Sequence, residues 1–305
     1  MRIPTSGKRI VCYGEVLWDI LPAGALPGGA PMNVAYHLHK LNRAISVITK
    51  VGADSHGREL LDIFSKWGIG TDHFSIDPIH PTGLVYARSN GHHEMAYDIV
   101  YPSAWDFITW DDSYTALMQQ TDYLVFGSLI CRSPASKNTL FSLLESATTT
   151  TKVLDINLRP PHFNRPIIEQ LLQKTDVLKL NLAELELIAG WYSPVPTVTG
   201  KIKLIQERFL INTIVVTMGG DGAVLCLNGD FYEHAGYKVQ VADTVGSGDA
   251  FLAAFLSQLI DRAPPAEMLD YACAMGALIA SYPGACPDYD TREIATLSQF
   301  SKTQV

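Results

Sequence analysis

The sequence predicts an α/β fold with a mostly parallel central sheet and helices on both faces. Strand-length apolar runs alternate with helix-length segments along most of the chain. The runs are too continuously apolar to keep a solvent-facing side, which is the mark of parallel strands covered on both faces. The chain's 305 residues, 47% hydrophobic and 18% charged, suit one large domain with an appendage, and no apolar run reaches membrane-spanning length.

The elements follow in order. RIVCYG (9–14) has the pattern of a short buried strand, PMNVAYHLHKL (31–41) of a helix, ISVITKVG (45–52) of a strand, and HGRELLDIFSKWG (56–68) of a helix closed by glycine. The rhythm then breaks. PTGLVYARSNGHHEMAYDIVYP (81–102) predicts two strands around an SNGHH turn, with alternating residues that need not be buried on both faces, an excursion from the main sheet. Tyr97 and Tyr101 are expected to pack within those strands, and His92 and His93 to lie on the turn surface, since no second His or Cys cluster sits at metal-ligand spacing. Alternation resumes with YLVFG (123–127), a helix over 133–147, KVLDIN (152–157), VLKLN (177–181), a helical ELELIAG (184–190), IKLIQERFL (202–210), TIVVTMGG (213–220) and AVLCLNG (223–229). KVQVA (238–242) is expected to be a further strand, and two long helices start near Ser247 and Ala266.

Charge and cysteine usage narrow the function. A net charge of −8 argues against a nucleic-acid backbone binder, so any phosphate handled should be small and metal-bound. Five scattered cysteines without CxxC spacing indicate reduced thiols, neither a zinc site nor a disulfide framework. The stretch MRIPTSGKRI has no apolar run before the first strand, so no secretory leader is expected and the expected location is cytoplasmic.

In such sheets the working loops gather at the carboxyl ends of the strands. There the sequence places Asp19, Gly28, Gly29 and Asn33 after the first strand, Asn157 and Arg159 after KVLDIN, and Asn181 and Glu184 after VLKLN. Gly219, Gly220 and Gly222 follow TIVVT, and DTVGSGD (243–249) precedes a long apolar helix. In that last stretch Gly246 and Gly248 permit a tight turn whose backbone N–H groups can face a phosphate, and the helix dipole favours negative charge there. Asp249 then stands in the first helical turn. As a mere N-terminal cap it would contribute ~1 kcal/mol, but that leaves two aspartates six apart around two glycines without a reason.

GGAPMNVA followed about 215 residues later by DTVGSGDAF resembles the ribokinase-like (PfkB) carbohydrate kinases, fructokinases above all. GEVLWDILP, KVGADSHG, DINLRPP, LKLNLAELE, VVTMGGDG and YACAMGALIASYPGA support the resemblance over nearly the whole chain. It implies a ribokinase-like α/β/α sandwich over 1–305 with a small β-sheet lid formed by about 16–30 and 81–104, and ATP-dependent phosphorylation of a sugar hydroxyl, fructose to fructose 6-phosphate. Other acceptors left open are ribose, 2-keto-3-deoxygluconate and a nucleoside such as adenosine. A non-catalytic sugar- or nucleotide-binding regulator is the alternative of a different class.

By that resemblance Asp249 is the catalytic base, and Gly246, Ser247 and Gly248 form the anion hole. Asp19, Gly28, Gly29 and Asn33 would hold the sugar, although Asp19 could simply start a turn and Asn33 act as a local helix cap. Arg159 would either neutralise the transferred phosphate or serve a structural ion pair. Asn181 and Glu184 match an Asn-x-x-Glu element that holds Mg²⁺ and phosphate, with Glu184 acting through water, against the alternative of a solvated helix start. Thr217, Gly219 and Gly222 match the nucleotide-binding turn, and Asp243 stands beside a candidate monovalent cation, K⁺, with oxygens from around 281–285. Two departures are Ser247, where many relatives have alanine, and Cys273, where polar residues are common near the adenine. The implied partners are a small sugar and ATP, with neither nucleic acid nor membrane, and a candidate homodimer through the lid.

Overall fold

The computed structural model describes residues 8–21, 24–89 and 95–298, without the side chains of 87–89 and 95–97. His92 and His93 lie outside the described residues, as does the Tyr97 side chain. The strands are β1 (Arg9–Tyr13), β2 (Leu17–Leu21), β3 (Gly24–Gly28), β4 (Ala44–Gly52), β5 (Phe74–Asp77), β6 (Gly83–Ser89), β7 (Met95–Ile99), β8 (Tyr123–Gly127), β9 (Thr151–Asp155), β10 (Val177–Asn181), β11 (Thr213–Thr217), β12 (Ala223–Leu227) and β13 (Asp230–His234). The helices are α1 (Ala30–Lys40), α2 (Ser55–Trp67), α3 (Ser113–Gln119), α4 (Pro134–Ser146), α5 (Arg165–Leu172), α6 (Leu182–Gly190), α7 (Val198–Phe209), α8 (Ser247–Ile260), α9 (Pro265–Ala280) and α10 (Arg292–Leu297).

Among the described residues one sheet has nine strands in the order β13-β12-β11-β10-β9-β8-β1-β4-β5, parallel from β11 through to β5 and antiparallel at the β11-β12-β13 end. Its interior strands are Val-, Ile- and Leu-rich because both faces are covered. One apolar cluster packs α1, α2, α8 and α9 on one side, and a second packs α3 to α7 on the other. The chain runs outward from β1 to β4 and β5, then returns to β8 and proceeds the opposite way, so the strand order reverses at β1 and β8. Ligands of open α/β sheets bind at such a reversal, outside the carboxyl ends of the strands. A separate four-stranded sheet, β3-β2-β6-β7, branches off after β1 and again after β5. The arrangement is a ribokinase-like α/β fold.

Local chemistry accounts for several element ends. Asp54 caps α2 by accepting from the Gly57 amide (2.8 Å), and Gly68 closes that helix in the left-handed region at φ 77. Asn228 and Gly229, at φ 53 and 95, form the two-residue turn between β12 and β13. Asn-Gly suits that turn because both central residues need positive φ.

Two expectations are corrected. KVQVA (238–242) is not a strand: residues 235–241 have no regular structure, and Val241 is 59% exposed. The alternating pattern alone did not bring the segment into a ladder: β13 pairs with β12 only, and 238–242 adds no strand beyond it. Tyr101 does not pack within a strand either; β7 ends at Ile99, and Tyr101 is exposed, with the Arg132 guanidinium over its ring. Among the described residues no helix is long and apolar enough to cross a membrane.

Candidate active site

A cavity of about 590 Å³ opens between the carboxyl ends of β1, β8, β9, β10 and β11 and the inner face of the small sheet. Leu17, Leu21, Leu26, Val85 and Ile99 come from the small sheet. From the loops after the main strands come Glu15, Leu129, Asn157, Arg159 and Thr244, while Lys179, Asn181 and Thr217 lie near the strand ends themselves. Asn157 holds φ 39, a left-handed conformation that asparagine tolerates better than most residues. It turns the chain sharply just before Arg159.

The start of α8 is one pole of this cavity. Gly246 takes φ 74 at the N-cap, where a Cβ would lie 2.5 Å from the Cβ of Ala285. No side chain caps the helix, so its first-turn amides face whatever anion fills the cavity. Ser247 turns its hydroxyl back to donate to the Thr244 carbonyl (2.9 Å) and does not line the cavity. Asp249 does not cap α8: its Oδ2 accepts from Asn33 Nδ2 at 2.8 Å, a contact between residues 216 apart in sequence. The Asn33 carbonyl in turn accepts from the Cys286 thiol at 3.3 Å. Burial pushes the Asp249 carboxyl up to about 6; Asp155 adds to the rise, and Lys179, Asn33 and Arg159 oppose it. That value leaves it ionised at neutral pH and basic enough to take a proton.

Two functional candidates that the sequence-based expectations missed lie beneath this helix. Lys179 and Asp155 are directly paired across β10 and β9, and the ammonium donates to both carboxylate oxygens at 3.0 and 2.8 Å. Lys179 also reaches toward Gly248, where a Cβ would stand 3.1 Å from Nζ. Burial lowers the Lys179 pKa, but the Asp155 and Asp249 carboxylates outweigh it, and the ammonium stays above its ordinary value. A cation therefore sits under the anion-binding turn. The signal was in the sequence: a lysine and an aspartate each interrupt an apolar strand, VLKLN and KVLDI, and such residues are almost never buried unless paired.

At the other pole the Asp19 side chain on β2 leans diagonally onto Gly28 of β3, whose direct partner is Leu17. A Cβ at Gly28 would fall 2.2 Å from Asp19 Oδ2, and one at Gly29, at φ 111, would fall 2.4 Å from the Glu15 carbonyl oxygen. Only glycine leaves room for this approach. Burial pushes the Asp19 carboxyl up to about 6, with Arg159 opposing and Asp243 adding. Glu15 is the third missed residue. It is 3% exposed and lines the cavity; burial pushes its carboxyl up to about 7. Arg159 lines the cavity as well, and its guanidinium donates to its neighbour's carbonyl, Leu158 O, at 3.3 Å.

The remaining expected residues divide. Asn181 and Thr217 line the cavity, whereas Glu184, Gly219 and Gly222 do not. Glu184 is not solvated: it is buried, and its two oxygens accept from the amides of Leu158 and Asn181, each at 2.8 Å. The Asn181 side chain answers by accepting from the Glu184 amide at 2.9 Å, a reciprocal cap on α6. Gly222 holds φ 87 in the turn after β11, where a Cβ would collide with the His234 carbonyl oxygen at 1.8 Å, and Gly219 at φ 60 has open space. Asp243 lines the cavity and accepts from the amides of Val245 (3.0 Å) and Gly284 (3.2 Å), tying the loop before α8 to the one after α9. Cys273 is buried in the core. Among the described residues no group of three or more His, Cys, Asp or Glu could hold a metal ion. A divalent ion here would have to take most of its ligands from water or a bound molecule, with the described residues contacting it through water.

Comparison with known proteins gives this fold and cavity a class. Residues 23–292 match the pfkB family of carbohydrate kinases, and the chain belongs to that family. It is 28% identical over 297 residues to the fructokinase of Escherichia coli, covering 91% of this chain and 94% of that one. It is 26% identical over 313 residues to fructokinase-1 of Zea mays, covering 93% and 95%. Among solved structures it resembles the Xylella fastidiosa fructokinase with bound ATP at a TM-score of 0.84 and 24% identity, covering 96% of this chain and 99% of that one. The Vibrio cholerae fructokinase in its fructose, ADP and calcium form gives a TM-score of 0.81 at 22% identity, covering 97% and 100%. The protein is a carbohydrate kinase.

Proposed function

We propose that the protein transfers the γ-phosphoryl group of ATP to fructose, giving fructose 6-phosphate, with Asp249 as the base. One observation carries this: Asp249, fixed by Asn33, shares a single cavity with Asp19 and Gly29 and with the uncapped start of α8, while Gly28 stands just behind Asp19. Asp19 offers acceptors to sugar hydroxyls, and the two glycines let the ring approach. Asn33 acts by orienting Asp249, with its second amide hydrogen left for substrate. The attacking hydroxyl gives its proton to Asp249 as its oxygen bonds to the γ-phosphorus and the bond to the ADP oxygen breaks in line.

Negative charge that develops on the transferred group meets the amides around Gly246 and Gly248, with the Lys179 ammonium beneath and Arg159 alongside. Bound Mg²⁺ would neutralise charge on the β- and γ-phosphates, and Asn181 is the cavity residue best placed to meet its waters, while Glu184 holds that loop in shape. Thr217 belongs to the nucleotide side. A monovalent cation such as K⁺ would take the place beside Asp243 against 281–285. The β2, β3, β6 and β7 sheet acts as a lid that excludes water from the phosphoryl donor. Homodimerisation through that sheet goes with it; a single monomeric species at micromolar concentration would overturn it.

A neutral polyol suits the sugar wall better than an acid, because an acceptor carboxylate would enter among Glu15, Asp19 and Asp249. The test is ADP release with Mg²⁺-ATP across fructose, ribose, 2-keto-3-deoxygluconate and adenosine. Turnover fastest on fructose is expected. Faster turnover on another acceptor overturns the substrate, and binding without turnover on any of them overturns the kinase mechanism in favour of a regulator.

A further inference from the structure

Glu15 stands apart from every other carboxylate near the cavity. It follows Gly14, which takes φ 150 and packs so closely on the start of α1 that a Cβ would lie 2.6 Å from Pro31 Cγ. Its own carbonyl lies against Gly29. The backbone is thus clamped on both sides, and the residue forms part of the cavity wall. There it is 3% exposed, and its Oε2 has no hydrogen-bond partner. The amides of Glu15 itself and of Ala30 and the charge of Arg159 favour its ionised form, but none of them gives Oε2 a hydrogen bond: the Arg159 guanidinium donates to the Leu158 carbonyl, and Asn33 donates to Asp249. Buried carboxylate oxygens are nearly always hydrogen-bonded, and one left orphaned in a cavity wall calls for a donor from outside the chain.

The chemistry of that donor is constrained. A phosphate or carboxylate would be repelled by Glu15, with Asp19 and Asp249 lining the same cavity. A divalent cation would want further carboxylate or imidazole ligands, and no cluster of three or more is present among the described residues. What remains is a neutral O–H. Rotation about the last side-chain bond of a glutamate is soft, so either oxygen can be presented to it.

We infer that Glu15 is a specificity-determining residue of the acceptor pocket, accepting a hydrogen bond from a non-reacting hydroxyl of the sugar. The inference rests on the sugar-kinase reading of this cavity and extends it: Asp249 takes the reacting hydroxyl, Asp19 meets the ring from the small sheet, and Glu15 tests for one further hydroxyl from the end of β1. The missing hydroxyl in a deoxy analogue would leave Glu15 as unpaired as it is without ligand.

The experiment compares wild type with Glu15→Gln on the best acceptor found and on its monodeoxy analogues, 1-, 3- and 4-deoxyfructose where fructose is that acceptor. In the wild type one analogue is expected to raise KM by roughly tenfold or more with kcat changed only a few-fold, as for a buried polar group losing its partner. In Glu15→Gln the KM for the parent sugar rises by a similar factor, and the penalty for that analogue shrinks to about twofold. Retention of the wild-type KM and of the full deoxy penalty in Glu15→Gln would overturn the inference and make Glu15 a water-bound structural group. If Glu15→Gln fails to fold, Glu15→Asp serves: it keeps the charge but withdraws it by one methylene, and it must lose the same discrimination. A wild type that prefers another sugar removes fructose as the substrate without touching Glu15, because the deoxy series is then built on that sugar.

Discussion

On the wall built by β9, β10 and α8, the buried charges have partners within the chain. Lys179 lies on Asp155, Asp249 is held by Asn33, and both oxygens of Glu184 accept backbone amides. On the wall built by β1, β2 and Gly28 the carboxylates are left waiting. Glu15 has an orphaned oxygen, and Asp19 is raised by burial, with Arg159 opposing. The contrast separates two kinds of recognition. Groups that stabilise a transition state gain by being oriented before the reaction, so their partners are built in. Groups that select a substrate gain by being unsatisfied until the right hydroxyl arrives.

The sharpest way to break the first wall is Asp249→Asn, which should lower kcat by about 10²–10⁴-fold, the range of a lost general base. In the wild type, kcat/KM should rise with pH as the free carboxyl ionises around 6. The stability sign is opposite. A carboxyl at about 6 when folded, against the ordinary 3.8, binds more protons in the folded state, so its charge costs stability fully above about pH 6 and not at all below about 3.8. Asp249→Asn should therefore raise Tm at neutral pH, with the gain vanishing in acid. An inactive variant with no such pH-dependent gain would place the residue outside the buried environment described here.

Next in size is Asp155→Asn, which strands Lys179 in the sheet and should cost roughly 3–5 kcal/mol in chemical denaturation. Replacing both partners, Asp155→Leu with Lys179→Met, should restore much of that stability while leaving activity low. Recovery of activity with stability would show the pair to be scaffold only. On the second wall, Gly28→Ala would drive a methyl onto Asp19 Oδ2, now only 2.2 Å from that position. KM for the sugar should rise by roughly tenfold, at an unchanged Km for ATP and with kcat altered less, since an interaction common to ground and transition states is lost. A fall in kcat alone would move Asp19 from binding to chemistry.

Much of the fold was legible in the sequence. β8 and β10 coincide with YLVFG and VLKLN, and α2 ends at the glycine that closes its pattern. β13 was missed although Asn228-Gly229 announces a hairpin, and the alternation in KVQVA was mistaken for a strand because periodicity cannot say whether a segment joins a ladder. The site divides in the same way. Asp249, Asn33 and Asp19 stood in motifs that carried a role, while Glu15, Asp155 and Lys179 stood in GEVLWDILP, DINLRPP and LKLNLAELE without one, inside or just after apolar strands where only their charge marked them.

The sequence by itself determined what depends on neighbours along the chain: the strand and helix periods, the left-handed glycine at 246 and the helix start at Ser247. Only the tertiary structure decided which charges meet. Asn33 reaches Asp249 across 216 residues, Lys179 finds Asp155 through strand register, and Glu15 is left with an unpaired oxygen in the cavity wall. Pairing and desolvation arise from the packing of distant segments, and one-residue changes in register would reverse them.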